Sequence, residues 1–194
     1  MARNIDENKI IRIKEATMQM VVTNGFGNAS ISRIAKLAGV AEGYLYNYYR
    51  SKTELVEDLL YTNMNEIADK LDNLLAGNYS TPEVFEHLIR LLFEIANGQP
   101  ERIKFLYVMM NDYNFKIQES QRLRILNLCR QVKINGNNKG DLKSDIDEEE
   151  IYLIGVTYPL QFINLRIKSF FDNSILGEKE IQKVLKICRS VIQN

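Results

Sequence analysis

Apolar residues recur at helical spacing along almost the whole chain. Ile13, Ala16, Met20 and Val21 share the inner face of a helix over 9–24, which Gly25 ends. Ile31, Ile34, Ala35 and Ala38 form a second stripe, capped at its start by Ser30. Leu45 and Tyr49 begin a third, over about 41–48. Between the second and third stripes lies Ala38-Gly39-Val40-Ala41, where Gly39 supplies the backbone freedom for a tight reversal. Two short amphipathic helices joined by such a turn make a helix-turn-helix, whose second helix enters the DNA major groove.

The pattern continues as helix after helix. Ser51-Lys52-Thr53-Glu54 reads as a capping box opening a long helix over 52–75, with Leu55, Leu59, Met64, Ile67 and Leu71 inward. Gly77-Asn78 ends it, and Thr81-Pro82 starts the next. Further helices are predicted over 82–97, 100–113, 115–135, 148–171 and 178–192, with the Asn-Gly-Asn-Asn-Lys-Gly run after Ile134 as the clearest loop. Asp147 to Glu150 caps and charges the start of the penultimate helix. The fold class is therefore all-α, about nine helices: a three-helix head over 1–52 on a larger body over 53–194.

The residues of the head sharpen this reading. Ser30-Ile31, Ile34-Ala35, Ala38-Gly39-Val40, Gly43, Leu45-Tyr46, Tyr48-Tyr49, Lys52 and Leu55 resemble, in order and spacing, the TetR family of bacterial transcriptional regulators. The resemblance implies phosphate contacts from Tyr46, Tyr48 and Lys52. It implies base or groove contacts from Ser32, Arg33, Glu42, Gly43 and Tyr44, with Ser30 at the same surface. Arg3, Arg12 and Lys14 either touch phosphate or lie on a solvated helix face. Ala41 stands where the family usually has a Ser or Asp-like cap, and Tyr44 is bulkier than the usual Thr or Ser. Glu42 either accepts from cytosine N4 or only favours the helix dipole.

Two stripes near the C-terminus suggest more apolar surface than one core uses. They are Ile151, Ile154, Tyr158, Phe162 and Leu165, and Ile181, Val184, Leu185, Cys188, Val191 and Ile192. The resemblance implies that these last two helices pair with their copies in a homodimer. The predicted interface is Ile151, Ile154, Leu165, Ile181, Val184, Leu185, Cys188, Val191 and Ile192. A dimer fits two recognition helices reading a palindromic duplex at half-sites about 34–36 Å apart. Tyr107, Met110, Asn111, Tyr113, Phe115, Tyr158, Gln161 and Phe162 have the mixed character of a pocket wall, although each taken singly is an ordinary core or rim residue. Gly155 and Pro159 predict a kink that frees the Gly155 carbonyl, either toward a pocket or to wrap the helix around its partner.

Charge supports a nucleic-acid partner at one end only. Residues 1–52 carry eight Lys/Arg against four Asp/Glu, and since the chain is neutral overall the remainder carries the opposite excess. No signal segment, membrane span, phosphate loop or metal spacing is read from the sequence, so the expectation is a cytoplasmic protein without catalysis, cofactor or metal. His87 reads as a surface or packing residue, and Cys129 and Cys188 as reduced thiols or a redox switch. The functional expectation is a repressor released from its operator by a small, largely apolar or amphipathic effector. The alternative is a constitutive DNA-binding regulator with no small-molecule effector.

Overall fold

The computed structural model describes residues 7–171 and 175–193. Residues 1–6, with Arg3, lie outside the described residues, and Glu7 and Asn8 are already helical, ahead of the start expected at Lys9. The described residues form two compact units, one of 7–63 with 104–116, the other of 64–103 with the remainder.

In the first unit α1 (Glu7–Asn28) is interrupted at Gly25, where the sequence ends its helix. Gly25 sits at φ 76° and ψ 162°, and helical turns resume beyond it. That break turns Phe26 inward, where it is buried and meets Phe115 edge-on with ring centroids 5.3 Å apart. α2 (Ile31–Ala38) and α3 (Glu42–Tyr46) follow, then α4 (Lys52–Ala76), whose start belongs to this unit. Ile13, Ala16, Ile31, Ile34, Ala35, Ala38, Leu45 and Leu55 make one core, edged by Val40 in the corner of the turn. Each fully buried Ile or Leu there contributes about 1.5–3 kcal/mol over its exposed state. α6 (Pro100–Met110) ends in this unit.

The second unit is organised around α5 (Thr81–Gly98), started by a capping box in which Glu83 accepts from the Ser80 N–H at 2.7 Å. Its buried face carries Val84, Phe85, Leu88, Ile89, Leu92 and Phe93. α7 (Glu119–Lys139) runs through the Asn-Gly-Asn-Asn stretch read as a loop, and Gly140 at φ 68° ends it instead. Local propensity was overridden by packing. A Cβ on Gly136 would lie 2.6 Å from Leu142 Cβ and 2.8 Å from Thr81 Oγ1, so the glycine lets the α7 backbone touch its neighbours.

α8 (Glu148–Tyr152), a π turn (Leu153–Thr157) and α9 (Tyr158–Ile167) run on without a break, so the described residues hold nine helical rods. α10 (Glu178–Ile192) closes the chain. The expected kink is a π turn, with the Tyr158 N–H bonded to the Leu153 carbonyl. In that register the N–H that Pro159 lacks would have served Ile154 rather than Gly155. The Cys188 thiol takes its place, donating to the Ile154 carbonyl at 3.5 Å. π bulges accommodate such interruptions of the ladder. Gly155 is buried, with Phe85 Cε1 3.0 Å from where its Cβ would be.

Burial also redraws the expected dimer face. Ile151, Val184, Leu185, Cys188 and Ile192 are all buried within their own chain, which leaves them no surface for a partner. Ile154, Leu165 and Ile181 are partly exposed, and Val191 is exposed. Leu153 and Ile187, which the stripes omitted, carry exposed apolar surface beside them in sequence. Burial pushes the Cys129 thiol up to about 11 and Cys188 up to about 12, so both stay protonated at neutral pH.

Candidate nucleic-acid interface

The helix-turn-helix is assembled from local signals that agree. Ser30 is extended and its hydroxyl accepts from the Arg33 N–H at 3.3 Å, which starts α2. Gly39, at φ 65° and ψ 40°, ends the helix in the left-handed region, while the Val40 N–H returns to the Ala35 carbonyl at 3.0 Å. Ile31, Ile34, Ala35 and Ala38 face the core, so Ser32, Arg33 and Lys36 face outward. α3 starts at Ala41 with no side-chain cap, as its alanine requires. Leu45, with no exposed surface, anchors it, and Glu42, Gly43, Tyr46 and Asn47 project into solvent.

Ser30, Ser32, Glu42, Tyr46, Arg50 and Lys52 line one open depression of about 440 Å³. Five of these were candidates from the sequence. Arg50 was not, although a cation directly before a helix cap was its signal. Its N–H donates to Glu54 at 2.6 Å, which holds the residue at the entry to α4. Arg33, Gly43, Tyr44 and Tyr48 lie outside that depression.

Tyr44 is half-buried. Its ring lies 5.2 Å from that of Tyr48, and the Lys9 ammonium sits 5.3 Å from its centroid. The Tyr44 side of α3 is therefore braced by aromatic and cation–π packing. Tyr49 donates to Asp58 at 2.8 Å, and burial, reinforced by that carboxylate, raises its pKa, so it remains a donor.

Lys52 has a second task that spacing did not reveal. Its ammonium donates to the carbonyls of Phe26 at 2.7 Å and Gly27 at 3.0 Å, and lies 4.6 Å from the Phe26 ring centroid. It thus closes the end of α1, where the carbonyls lack helical partners, and keeps one N–H for an outside acceptor. Lys52→Met is expected to lower stability by about 1.5–3 kcal/mol, since hydrogen bonds to charged groups contribute on that scale. Thermal melts and salt-dependent DNA titrations of this variant separate the two tasks. An unchanged melting temperature would show that the α1 contact contributes nothing.

The sequence-predicted pocket residues belong to both units. Tyr107, Met110, Asn111, Tyr113 and Phe115 fall in the first unit, and Tyr158, Gln161 and Phe162 in the second. Tyr113 is fully exposed, Asn111 donates to the Tyr107 carbonyl at 2.8 Å, and Phe115 is committed to Phe26. Gln161 faces outward, and the Phe162 ring packs between Phe93 and the Arg166 guanidinium. The second unit holds an apolar cavity of about 30 Å³, lined by Leu71, Phe85, Leu88, Cys129, Tyr152 and Gly155 among others. Its residues come from α4, α5, α7 and the α8–π segment, a combination no single helical stripe displays. Among the described residues no group of three His, Cys, Asp or Glu is placed to hold a metal, and no helix is long and apolar enough to cross a membrane.

Residues 13–59 match the family model described as bacterial regulatory proteins, tetR family. The fatty acid metabolism regulator protein of Bacillus subtilis is 27% identical over 134 residues, spanning 69% of this chain and 62% of that relative. A TetR family transcription regulator from Marinobacter aquaeolei has the same fold with a TM-score of 0.78, at 19% identity and 97% coverage of both chains. The regulator FadR of Bacillus subtilis, solved in complex with stearoyl-CoA, superposes with a TM-score of 0.73 at 18% identity, over 93% of this chain and 98% of that one.

Proposed function

We propose that this chain, which belongs to the TetR family of bacterial regulatory proteins, is a cytoplasmic homodimeric repressor that binds a palindromic operator and leaves it when an acyl-bearing effector binds. The observation carrying the DNA reading is the α2–Gly39–α3 corner, whose polar face (Ser32, Arg33, Glu42, Tyr46) is turned outward while its apolar face is fully used by the core. Ser30, Arg50 and Lys52 at the ends of α2 and α4 offer donors to phosphates, which position the protein. Glu42 and Gly43 at the start of α3 lie where recognition helices meet base edges.

The effector reading rests on the second unit's apolar cavity and on relatives whose names concern fatty-acid metabolism. A space of about 30 Å³ holds no more than a water or two as it stands. An effector must therefore favour an expanded arrangement, and only its differential affinity for that arrangement can release the operator. The small cavity equally suits a constitutive regulator without effector, the second reading.

Selection from a random duplex pool is expected to return a palindrome, bound by two copies. Added palmitoyl-CoA should then dissociate the complex. Dimeric protein that selects no sequence overturns the DNA reading. Selective binding that palmitoyl-CoA and palmitate leave unchanged favours the constitutive reading.

A further inference from the structure

We propose that an open groove between α4 and α5 of the second unit binds a phosphate-bearing, ring-containing headgroup on the effector whose acyl tail enters the cavity. This rests on the effector reading above. The groove measures about 480 Å³ and has an apolar floor, Leu74 from α4 and Leu91 from α5. Its walls carry donors: Lys70 and Asn73 on α4, His87 and Arg90 on α5. The one carboxylate among its lining residues, Glu94, stands at the far end of the α5 stripe, seven residues from His87.

The donors are not equivalent. Arg90 is held by Glu178 at 2.7 and 2.9 Å and by Glu86 at 2.9 Å, so its charge is largely balanced and it serves as a fixed wall. Lys70 is exposed, and no ion pair ties it to a carboxylate among the described residues. Lys70 and His87 are therefore the groups able to meet a phosphate.

The ring-binding element is Tyr79, an exposed aromatic held in place from several sides. His87 packs against its ring edge-on with centroids 5.1 Å apart, and the Lys139 ammonium donates to its carbonyl. Gly77 leaves room for the same ring, whose carbons lie 2.9 Å from the position a Cβ would take. A side chain so constrained loses little entropy when another ring stacks on it.

The groove and the cavity also connect through sequence. Leu71 and Leu88 line the cavity, while Leu74 and Leu91, one turn further along the same helices, floor the groove. α5 packs most closely on α10, α9, the π turn and α7, and the cavity and the groove both lie on its α4 side. A tail passing between these leucine pairs would leave its head among Lys70, Tyr79 and His87.

The test measures binding of palmitoyl-CoA, coenzyme A and palmitate to the parent, Lys70→Glu and Tyr79→Ala proteins, below the micellar concentration of each lipid. Palmitoyl lysophosphatidic acid is a fourth probe, with phosphate but no ring. Each exposed-site variant is expected to weaken palmitoyl-CoA about tenfold, the loss of one charge-assisted or stacking contact, and Tyr79→Ala to leave palmitate, which has no ring, unchanged. Lys70→Glu should weaken the phospholipid too, whereas Tyr79→Ala should spare it. Parent-like palmitoyl-CoA binding by both variants, with palmitate bound, overturns the groove and leaves the effector reading standing. If the parent binds neither acyl compound, both readings fall.

Discussion

Leu45→Ala is expected to lower operator affinity more than 100-fold while far-UV circular dichroism stays close to the parent's. α3 has five residues, and a helix of that length has no stability of its own in water. Its N-cap, Ala41, gives no side-chain bond, so little else fixes its start. What holds it is the Leu45 side chain, fully buried among Ile34, Ala38 and Leu55. The Leu45 carbonyl also accepts from the N–H groups of Tyr48 and Tyr49, both at 2.9 Å. Truncating such a leucine costs roughly 2–5 kcal/mol, depending on how far the site collapses. That loss falls on the recognition helix, so the outward residues Glu42, Gly43 and Tyr46 lose their common frame. Leu45→Met, which keeps the volume, should cost under about 1.5 kcal/mol and preserve most binding. Fluorescence anisotropy on one operator duplex compares the three proteins. Parent-like affinity for Leu45→Ala would show that α3 is positioned by something other than this contact.

The head was legible because its signals are local and agree with one another. Ser30, Gly39 and Ser51 each act within four residues of themselves, and each does what its chemistry specifies. Lys52 shows where that reading stops. A cation beside a recognition helix reads as a phosphate contact, but two of its donors go to carbonyls 25 and 26 positions away. The C-terminal stripes show a different limit. Helical periodicity identifies Val184, Leu185, Cys188 and Ile192 as one apolar face of α10, without stating what covers it. A single-chain core and a partner's surface impose the same period, and here the chain covers that face itself. The cavity was illegible for a related reason: its walls are contributed by four separate segments, one of them the π turn, where the helical period slips by one residue.

The same competition between local and distant forces sets the effect of Gly136→Val, expected to lower the melting temperature by about 5–10 °C. On propensity alone the change should help, since replacing a glycine whose backbone suits other residues is worth about 0.4–1 kcal/mol. Packing opposes it. The added Cβ would lie 2.6 Å from Leu142 Cβ and 2.8 Å from Thr81 Oγ1, well inside van der Waals contact. Neither neighbour is free to withdraw. Thr81 is the first residue of α5, with its N–H held by Asp141 at 2.9 Å, and Leu142 is buried in the cluster of Phe85, Val132 and Ile146. Overpacking costs about 1–3 kcal/mol, and a branched residue at a backbone-to-side-chain contact belongs at the upper end. For a chain of this size each kcal/mol shifts the midpoint by roughly 2–4 °C, so the packing term prevails. Gly140→Ala is the control. Its φ of 68° strains any other residue, but open space surrounds it, so about 1 kcal/mol and a smaller shift are expected. Calorimetry on both variants decides the matter. A Gly136→Val protein that melts at or above the parent would show that this glycine's close approach carries no weight in the fold.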